Sequence, residues 1–243
     1  MATDNNEANS RWKFVVFNRN ITEEESIKFY DSWADHYDDD QIQLGFKRQY
    51  QLAEKLATFY PDREIRKDLK ILDIAAGTGL VGVGLIQEGF KNIHAVGNSI
   101  LFFSLFFFFS SIFFNFFLDG NYAMLQKLNE KKIYKKSFCA MLGNKNSQIH
   151  QDIQDGSYDV VLIMGGFAQS HLPIDSLYQA ARALKPGGLF INLMTKMYLD
   201  IVDKLHGLEP LMAKMETEGI WRKVDIFSDG EEKQGVYHIY RKI

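Results

Sequence analysis

Residues 70–84, KILDIAAGTGLVGVG, decide the fold, because they combine a buried strand, a glycine turn and the start of a helix. The apolar residues between positions 69 and 74 form the short run typical of a central parallel strand covered on both faces. Asp73 places a carboxylate near the carboxyl end of that strand. Gly77 and Gly79 then allow a tight turn and a close approach of the backbone to a ligand. The sequence therefore predicts a crevice at the strand's carboxyl end, where open α/β sheets bind ligands.

The composition favours a single α/β domain of 243 residues. The net charge of −3 gives no basic footprint, so a nucleic-acid partner is not expected. The single cysteine, Cys139, excludes an internal disulfide and a multi-cysteine metal site, and it suits a reducing compartment. Residues 1–20 are predicted to be a flexible tail, whose polar start lacks the features of a secretory signal. We expect a cytoplasmic monomer without a metal site.

Helices and strands alternate along the chain until a terminal hairpin, which predicts a doubly wound sheet with an antiparallel end. A capping-box pattern at Thr22–Glu25 predicts the start of the first helix, which carries Tyr30, Trp33 and Tyr37 at helical spacing. Further helices are predicted at 42–59, 80–88, 122–130, 174–184 and 198–218. Strands are predicted at 69–74, 92–96, 136–142, 158–164, 189–194, 221–227 and 235–243, with turns at 185–188 and 228–234.

Residues 99–118, SILFFSLFFFFSSIFFNFFL, contain half of the chain's 20 phenylalanines and no charged residue. About 20 apolar residues are enough to span a membrane. A single span here, however, would place strands of one sheet on opposite sides of the membrane, so we expect no membrane partner. A genuine hydrophobic insertion and a segment foreign to the working protein remain as alternatives.

The second alternative is supported by what the codons can contain. The codons of residues 97–98 can contain a splice donor, and the codons of residues 118–119 can contain a splice acceptor. Phenylalanine codons are rich in pyrimidines, as is the tract that precedes a splice acceptor. Removing residues 97–118 keeps the reading frame and lets Asp119 follow strand two. Asp119 then lies about 20 residues after Gly77, the spacing at which such folds bind a ribose hydroxyl. We therefore predict that 97–118 is a retained intron or a gene-model error.

Three motifs resemble those of class I S-adenosylmethionine-dependent methyltransferases. DIAAGTG, from Asp73 to Gly79, resembles their first motif, and DGNYAML, from Asp119, resembles their second. LKPGG, at 184–188, resembles the turn before their fifth strand. The resemblance covers roughly residues 69–194. It implies a Rossmann-like fold with a seven-stranded, mostly parallel sheet, an antiparallel C-terminal hairpin, and S-adenosyl-L-methionine as the cofactor.

A closer resemblance is to the methyltransferase-like proteins of the Williams–Beuren chromosomal region, which share the YDSWA…YD opening. It implies that Tyr30, Trp33 and Tyr37 belong to an N-terminal helical lid over the cofactor, although they also fit a simple core stripe. The methyltransferase domain is expected to span residues 21–243. Ala75 stands where the family usually has glycine. The resemblance implies a cofactor site formed by Tyr30, Trp33, Tyr37, Asp73, Ala75, Gly77, Thr78, Gly79, Asp119, Met124 and Leu142.

Other readings of these motifs exist. Gly77-Thr-Gly79-Leu-Val-Gly82 also fits the dinucleotide fingerprint of nicotinamide enzymes, but Asp73 and the LKPGG turn favour a methyl donor. Asp73 can also be a structural turn acid, since an ionised carboxylate in an apolar strand requires a partner. Met141 and Leu142, after strand three, replace an acid that is frequent in the family, which leaves adenine recognition to apolar contacts and backbone groups.

Methyl transfer needs mainly positioning and desolvation, and a base only where the acceptor must lose a proton. His171 is the candidate base and His36 a second one, and either can instead be a surface or core histidine. GGFA follows strand four in place of an Asn/Asp-Pro-Pro-aromatic signature, so an amino acceptor on nucleic acid or glutamine is not supported. We expect methyl transfer to an unidentified small molecule. A non-catalytic cofactor-binding protein and a nonfunctional translation product are the alternatives.

Overall fold

The computed structural model describes residues 2–18, 20–98, 122–140, 142–144, 146, 148–229 and 235–243. The described helices are α1 (Ala2–Phe17), α2 (Glu23–Trp33), α3 (Tyr37–Gln43), α4 (Arg48–Phe59), α5 (Arg63–Asp68), α6 (Leu80–Gln87), α7 (Tyr122–Glu130), α8 (Ser176–Ala183), α9 (Tyr198–Ile201) and α10 (Leu208–Thr217), with a 3-10 turn at Asp203–Leu205. The strands are β1 (Lys70–Ile74), β2 (Asn92–Asn98), β3 (Lys136–Ala140), β4 (Tyr158–Met164), β5 (Leu184–Thr195), β6 (Trp221–Asp229) and β7 (Gly235–Lys242).

The seven strands form one sheet in the order β3-β2-β1-β4-β5-β7-β6. Strands β1 to β5 pair with one another in parallel, whereas β7 pairs antiparallel with both β5 and β6. The predicted fold class, a mostly parallel sheet with an antiparallel C-terminal hairpin, is confirmed. The order in which successive strands are added to the sheet reverses between β1 and β4. Doubly wound sheets form ligand crevices at this position.

Strand β1 lies near the middle of the sheet and is buried on both faces. Leu72 and Ile74 belong to the core on one face, and Ile71 belongs to the core on the other, as the alternation of side chains along a strand requires. Each of these residues is fully buried. Asp73 therefore points to the face of Ile71, where α4 and α6 pack.

Two predicted elements match the structure residue for residue, namely the helix at 122–130 and the strand at 158–164. The capping box is also present, because the Thr22 side chain accepts from the Glu25 N–H while the Glu25 carboxylate accepts from the Thr22 N–H. The helix that it starts ends at Trp33 instead of continuing to Tyr37, where α3 begins. The predicted helix 42–59 begins later than expected, at Arg48.

The predicted helix 198–218 is wrong, because the chain there forms α9, a 3-10 turn and α10. Pro210 explains the break, since a proline inside a helix lacks the N–H that bonds to the preceding turn. The helix restarts at Leu208, so that Pro210 falls in the first turn of α10, where no such bond is needed. The predicted turn at 185–188 lies within β5, beside an irregularity in its pairing with β4.

The first residues of the chain also differ from the prediction of a flexible tail, since α1 occupies Ala2–Phe17. The Arg11 guanidinium forms two hydrogen bonds with the Asp40 carboxylate, at 2.7 and 3.0 Å. The Phe14 ring stacks on Phe29, with ring centroids 4.6 Å apart. These contacts attach α1 to α2 and α3, and they could not be read from the local polarity of the segment.

No helix within the described ranges is long and apolar enough to cross a membrane. The phenylalanine-rich residues 99–118 lie outside those ranges, as does most of the predicted turn 228–234.

Ala75, directly after β1, has a φ of +62°, in the left-handed region that favours glycine. A residue with a Cβ pays about 1–2 kcal/mol for this conformation. Ala75→Gly removes that cost but adds chain entropy to the unfolded state and loses a methyl contact, so we expect a change in the free energy of unfolding close to zero. The neighbouring Ala76 has no positive φ. Ala76→Gly therefore adds chain entropy to the unfolded state and loses a methyl contact without removing any strain, so it should lower the free energy of unfolding by about 1 kcal/mol. Urea unfolding of both variants measures the difference, and equal losses would contradict the strain at Ala75.

Candidate functional site

The turn between β1 and α6 is fixed to the neighbouring strand by its backbone. The N–H groups of Ala75 and Ala76 both donate to the carbonyl of Val96 in β2, at 2.9 and 3.2 Å. Gly77 and Gly79 follow with φ values of +55° and +88°. A Cβ added at Gly77 would meet no atom within 4 Å, so this side of the turn is open. The backbone thus forms a shallow cradle at the carboxyl end of the central strand.

Behind the turn, the Tyr134 hydroxyl joins β1 to α6. It donates to Asp73 Oδ2 at 2.6 Å and accepts from the Gly82 N–H at 2.9 Å. A Cβ at Gly82 would lie 2.7 Å from the Tyr134 ring, and one at Gly79 would lie 2.9 Å from it. The glycines at these two positions therefore make room for the tyrosine.

Asp73 is fully buried, and its second oxygen, Oδ1, has no hydrogen-bond partner among the described residues. Burial raises the pKa of Asp73 to about 7, and the hydrogen bond from Tyr134 offsets part of that rise. Through its hydrogen bond with Tyr134, Asp73 holds the tyrosine behind the turn. It does not line the cavity described next.

One cavity of about 220 Å³ opens over the turn. Its wall is formed by the turn, helices α2 and α3, the start of α4 and of α7, and the segments that follow β4 and β5. Aromatic side chains make up much of the wall, namely Trp12, Tyr30, Trp33, Tyr37, Phe46 and Tyr198. A largely apolar pocket with few polar groups, placed at the topological switch point, is the usual form of a small-molecule site.

The helices α2 and α3 cover the cavity and are joined to the turn by a charged network. The Thr78 hydroxyl donates to Asp38 Oδ1 at 2.6 Å, and Lys131 Nζ lies 2.7 Å from Asp38 Oδ2. Lys131 Nζ also donates to the Thr78 carbonyl at 2.6 Å. The three residues hold the start of α3 against the glycine turn, so the aromatic side chains of α2 and α3 face the cavity.

A second network fixes the covering helices to one another. The buried Asp40 carboxylate accepts from the Trp33 indole at 2.6 Å and from Arg11. Burial alone would raise the pKa of Asp40, but the hydrogen bonds from Arg11 and Trp33 outweigh it and hold that pKa below its usual range. The Trp33 ring is thereby fixed in the cavity wall.

Opposite the turn, His171 is paired with Tyr30. His171 Nδ1 lies 2.5 Å from the Gln169 carbonyl, and Nε2 lies 2.9 Å from the Tyr30 hydroxyl. Because a carbonyl only accepts, Nδ1 carries the proton, and Nε2 of the neutral ring accepts from the Tyr30 O–H. Burial lowers the pKa of His171, with a smaller opposing effect of the Gln169 hydrogen bond. The pair is therefore a neutral proton acceptor behind a phenol that faces the cavity.

The structure brings most of the sequence-predicted site residues to the cavity, namely Tyr30, Trp33, Tyr37, Ala75, Gly77, Thr78, Met124 and His171. Gly79 and Leu142 do not line it. Gly79 precedes the first residue of α6, behind the turn, and Leu142 packs in the hydrophobic core with 6% of its surface exposed. His36 is exposed and is not part of the wall. Asp119 lies outside the described residues.

The sequence did not indicate Tyr134, Lys131 or Arg48 as parts of the site. Tyr134 and Lys131 lie in the connection between α7 and β3, which carries no motif. Arg48 begins α4, and its Nη1 donates to the Thr195 hydroxyl at 2.8 Å. No local pattern could have found these residues, because each contacts the site through the order of the strands. Within the described ranges, no group of histidine, cysteine and acidic residues is arranged to hold a metal ion.

Asp73→Asn tests the burial of the carboxylate. The folded-state pKa of about 7 lies above the unfolded value of 3.8, so the folded state binds more protons between these pH values and stability falls as the pH rises through them. The amide keeps an acceptor for Tyr134 but has no charge. We expect the variant to match the original chain near pH 4 and to exceed its free energy of unfolding by on the order of 3 kcal/mol at pH 8. Urea unfolding across this range measures it.

Asp39→Asn, an exposed acid on α3, controls for the loss of one negative charge. A stability difference between Asp73→Asn and the original chain that stays constant from pH 4 to pH 8 would contradict the raised pKa of Asp73.

The chain is similar to known methyltransferases in sequence and in fold. Methyltransferase-like protein 27 of Homo sapiens is 26% identical over 197 residues, which cover 81% of this chain and 68% of that protein. A TehB-like S-adenosylmethionine-dependent methyltransferase from Corynebacterium glutamicum superposes with a TM-score of 0.56 at 13% identity, covering 89% of this chain and 99% of the other. A methyltransferase from Aquifex aeolicus gives a TM-score of 0.50 at 13% identity, covering 79% and 89%.

The solved structures share the Rossmann-like fold of S-adenosylmethionine-dependent methyltransferases. The family model of the ubiE/COQ5 methyltransferases matches residues 18–206, which include the covering helices, the glycine turn and the segment after β4. The chain belongs to the ubiE/COQ5 methyltransferase family and is an S-adenosyl-L-methionine-dependent methyltransferase.

Proposed function

We propose that the cavity binds S-adenosyl-L-methionine along the glycine turn and a small-molecule acceptor beneath the aromatic cover. The observation that carries this proposal is that one cavity joins the turn residues 75–78 to the Tyr30–His171 pair. Cofactor and acceptor would then share one water-poor space, which in-line methyl transfer requires.

The residues present fit the cofactor. Gly77 has positive φ and open space where a Cβ would stand, so a ligand can approach its backbone closely. Met124 and the aromatic rings of Trp33 and Tyr37 offer apolar surface nearby in the same wall. We assign cofactor contacts to these residues and to Thr78, and a supporting role behind the turn to Asp73.

When bound, S-adenosyl-L-methionine supplies a methyl group on a positively charged sulfur. The chain's own part is to position the acceptor and to exclude water. The rings of Tyr30 and Trp33 are stacked with centroids 5.9 Å apart, and those of Trp33 and Tyr37 meet edge to face at 4.8 Å, and both pairs favour these tasks. Electron-rich ring faces also suit a cationic sulfur.

We assign the proton-accepting role to His171, acting through Tyr30. An acceptor that must lose a proton can pass it to the Tyr30 oxygen while the phenol proton moves to His171 Nε2. The hydrogen bond between the Tyr30 hydroxyl and Nε2 supports this path, as does the neutral state that burial favours. Tyr30 alone does not supply the base, because burial raises its pKa well above 10 and the phenol stays protonated.

A small acceptor is supported by the enclosure of the cavity. The helices α2 and α3 close one side of it through the Asp38 network. The net charge of −3 gives no support to a nucleic-acid substrate. A protein that binds the cofactor without catalysis is the alternative, and it is separated by an assay for methyl release over a panel of metabolites.

We further propose that residues 97–118 are absent from the working protein. Gly97 pairs with Cys139 in the sheet and lines the cavity. In a chain that lacks 97–118, Asp119 would follow Val96 and take the position of Gly97, which would add a carboxylate to the cavity wall. A Cβ there would lie 2.7 Å from the Leu125 side chain, whose flexible end can move. Asp119 would then serve as the ribose-binding acid.

We also propose that the chain is a cytoplasmic monomer and that it is closest in kind to the methyltransferase-like proteins of the Williams–Beuren chromosomal region. The shared opening of α2 and α3, with Tyr30, Trp33 and Tyr37 in the cavity wall, supports that relationship.

Cofactor binding tests the proposed function. Calorimetry with S-adenosyl-L-methionine on the full chain and on a chain without residues 97–118 should show binding by the shorter chain, tighter by about tenfold or more, because one bidentate hydrogen-bonded carboxylate is gained. Asp119→Ala in the shorter chain should return the affinity to that of the full chain. Binding by neither chain would overturn the proposed site, and equal binding by both would overturn the role of Asp119.

The state of His171 is measurable without knowledge of the acceptor. We expect nitrogen-15 NMR of the imidazoles to show a neutral, Nδ1-protonated ring at pH 6.5, where a histidine of the urea-unfolded chain is about half protonated. The lowered pKa means that the ring charges only at more acidic pH. Tyr30→Phe should shift the Nε2 resonance. A charged ring at pH 6.5, or a proton on Nε2, would exclude the proposed transfer.

A further inference from the structure

We propose that the Tyr198 hydroxyl donates a hydrogen bond to a carbonyl oxygen of the methyl acceptor and so helps to select it. This inference rests on the proposed function, because it concerns the acceptor half of the same cavity. The acceptor would carry this oxygen close to the atom that receives the methyl group.

The Tyr198 side chain is held inside the molecule, and its hydroxyl lacks a partner. Tyr198 is the first residue of α9, and 8% of its surface is exposed. Its ring belongs to the core that also contains Leu172 and Val202. Within the described residues no hydrogen bond reaches the Tyr198 hydroxyl, yet that oxygen is not fully enclosed. Because Tyr198 lines the cavity, the cavity is the space into which the hydroxyl opens.

The hydroxyl is a hydrogen-bond donor at physiological pH. Burial raises the pKa of Tyr198 to about 12, with a smaller opposing effect of Arg48, so the phenol stays protonated. In an apolar pocket such a donor gains most from an oxygen that accepts its hydrogen bond. A ligand that displaces water from this position without supplying an accepting oxygen leaves the hydroxyl unpaired, which lowers the affinity of that ligand.

Tyr198 lies close to the pair that accepts the proton. Burial is the main cause of the raised pKa of Tyr30, and electrostatic interactions with Tyr37 and Tyr198 add to it. Such interactions weaken with distance, so the three phenols are near one another. The Tyr30 proton is already used in the hydrogen bond with His171 Nε2, whereas the Tyr198 proton is not engaged by any described residue. The reacting atom beside Tyr30 and the oxygen beside Tyr198 would therefore lie close together in the acceptor.

The strand order places Tyr198 on the acceptor side of the cavity. Tyr198 follows β5, and β5 is separated by β4 from β1 and its glycine turn. The segment after β4 contains His171, so the Tyr30–His171 pair lies between the turn and Tyr198 along the sheet edge. Tyr37 also has a hydroxyl without a hydrogen bond among the described residues, but it lies in the cover and is partly exposed. We therefore assign the acceptor contact to Tyr198.

The surroundings of Tyr198 do not suit a cationic acceptor. Aromatic rings can bind an ammonium group on their faces. The positive charge of Arg48, however, acts on Tyr198, because it opposes the rise of that residue's pKa. The bound cofactor would bring a second positive charge on its sulfur. Like charges repel strongly in a pocket of low dielectric constant, whereas an uncharged carbonyl oxygen avoids this repulsion and accepts from the phenol.

The test measures how the binding of two probes depends on the Tyr198 hydroxyl. Acetophenone and ethylbenzene have nearly the same shape, and only acetophenone has a carbonyl oxygen. Calorimetry with S-adenosyl-L-methionine present gives the ratio of their dissociation constants for the full chain, or for the chain without 97–118 if only that form binds the cofactor. Tyr198→Phe removes the hydroxyl and keeps the ring. In this variant we expect acetophenone binding to weaken about fivefold relative to ethylbenzene binding.

Tyr178→Phe is the matched control. It removes the hydroxyl of a partly buried tyrosine that packs against the same core but does not line the cavity, so the ratio should stay unchanged. An unchanged ratio in Tyr198→Phe would overturn the proposal, as would a change in Tyr37→Phe that Tyr198→Phe does not show. Benzylamine, which is cationic at neutral pH, should bind less tightly than acetophenone. Tighter binding of benzylamine would assign the position to an ammonium group and overturn the carbonyl.

The affinity for S-adenosyl-L-methionine, measured in each variant, separates this inference from the proposed function. A chain that does not bind the cofactor overturns both. A chain that binds the cofactor but not acetophenone overturns the carbonyl contact alone. If Tyr198→Phe does not fold, the infrared carbonyl stretch of bound acetophenone decides. A frequency below that in an apolar solvent, in the original chain and in Tyr37→Phe, supports the hydrogen bond, and an unshifted frequency contradicts it.

Discussion

The hydrogen bonds of the Tyr134 hydroxyl are the constraint on which the site depends. This one group donates to the buried Asp73 of β1 and accepts from the Gly82 N–H of α6, so it fixes the angle between the central strand and the helix that follows. The ring fills the space that side chains at positions 79 and 82 would need. The turn between strand and helix is therefore supported from behind by packing, which leaves the opposite side, at Gly77, open to a ligand.

The cover of the cavity depends on charge, whereas its inner surface is aromatic. Asp38 bonds to Thr78 and Lys131 at the turn, and Asp40 bonds to Arg11 and Trp33 within the covering helices. These short charge-assisted bonds are directional, so they orient the helices in a way that apolar contacts alone would not. The aromatic rings attached to the same helices then form a wall that excludes water from the space above the turn.

The chemistry of the cavity is divided along the sheet. The turn after β1 offers backbone and small side chains, the segment after β4 offers His171, which pairs with Tyr30 of α2, and the end of β5 offers Thr195 beside Arg48. Each strand of a parallel sheet contributes its carboxyl end to the same edge, so three different environments lie side by side. A methyltransferase needs donor and acceptor held in such an order, because the sulfur of the donor, its methyl carbon and the reacting atom of the acceptor must lie in a line.

The sequence alone determined the strand, turn and helix at 70–84, because hydrophobic periodicity and glycine act over a few residues. It also gave the sheet class and most of the residues of the turn. It failed at 198–218, where apolar spacing suggested one helix and Pro210 prevented it. Only the tertiary structure decided that Tyr134 supports Asp73, that Lys131 holds the cover, and that Arg48 enters the cavity. These contacts join residues far apart in the chain, and their existence depends on which strands are neighbours and on how helices pack across them, which no local pattern encodes.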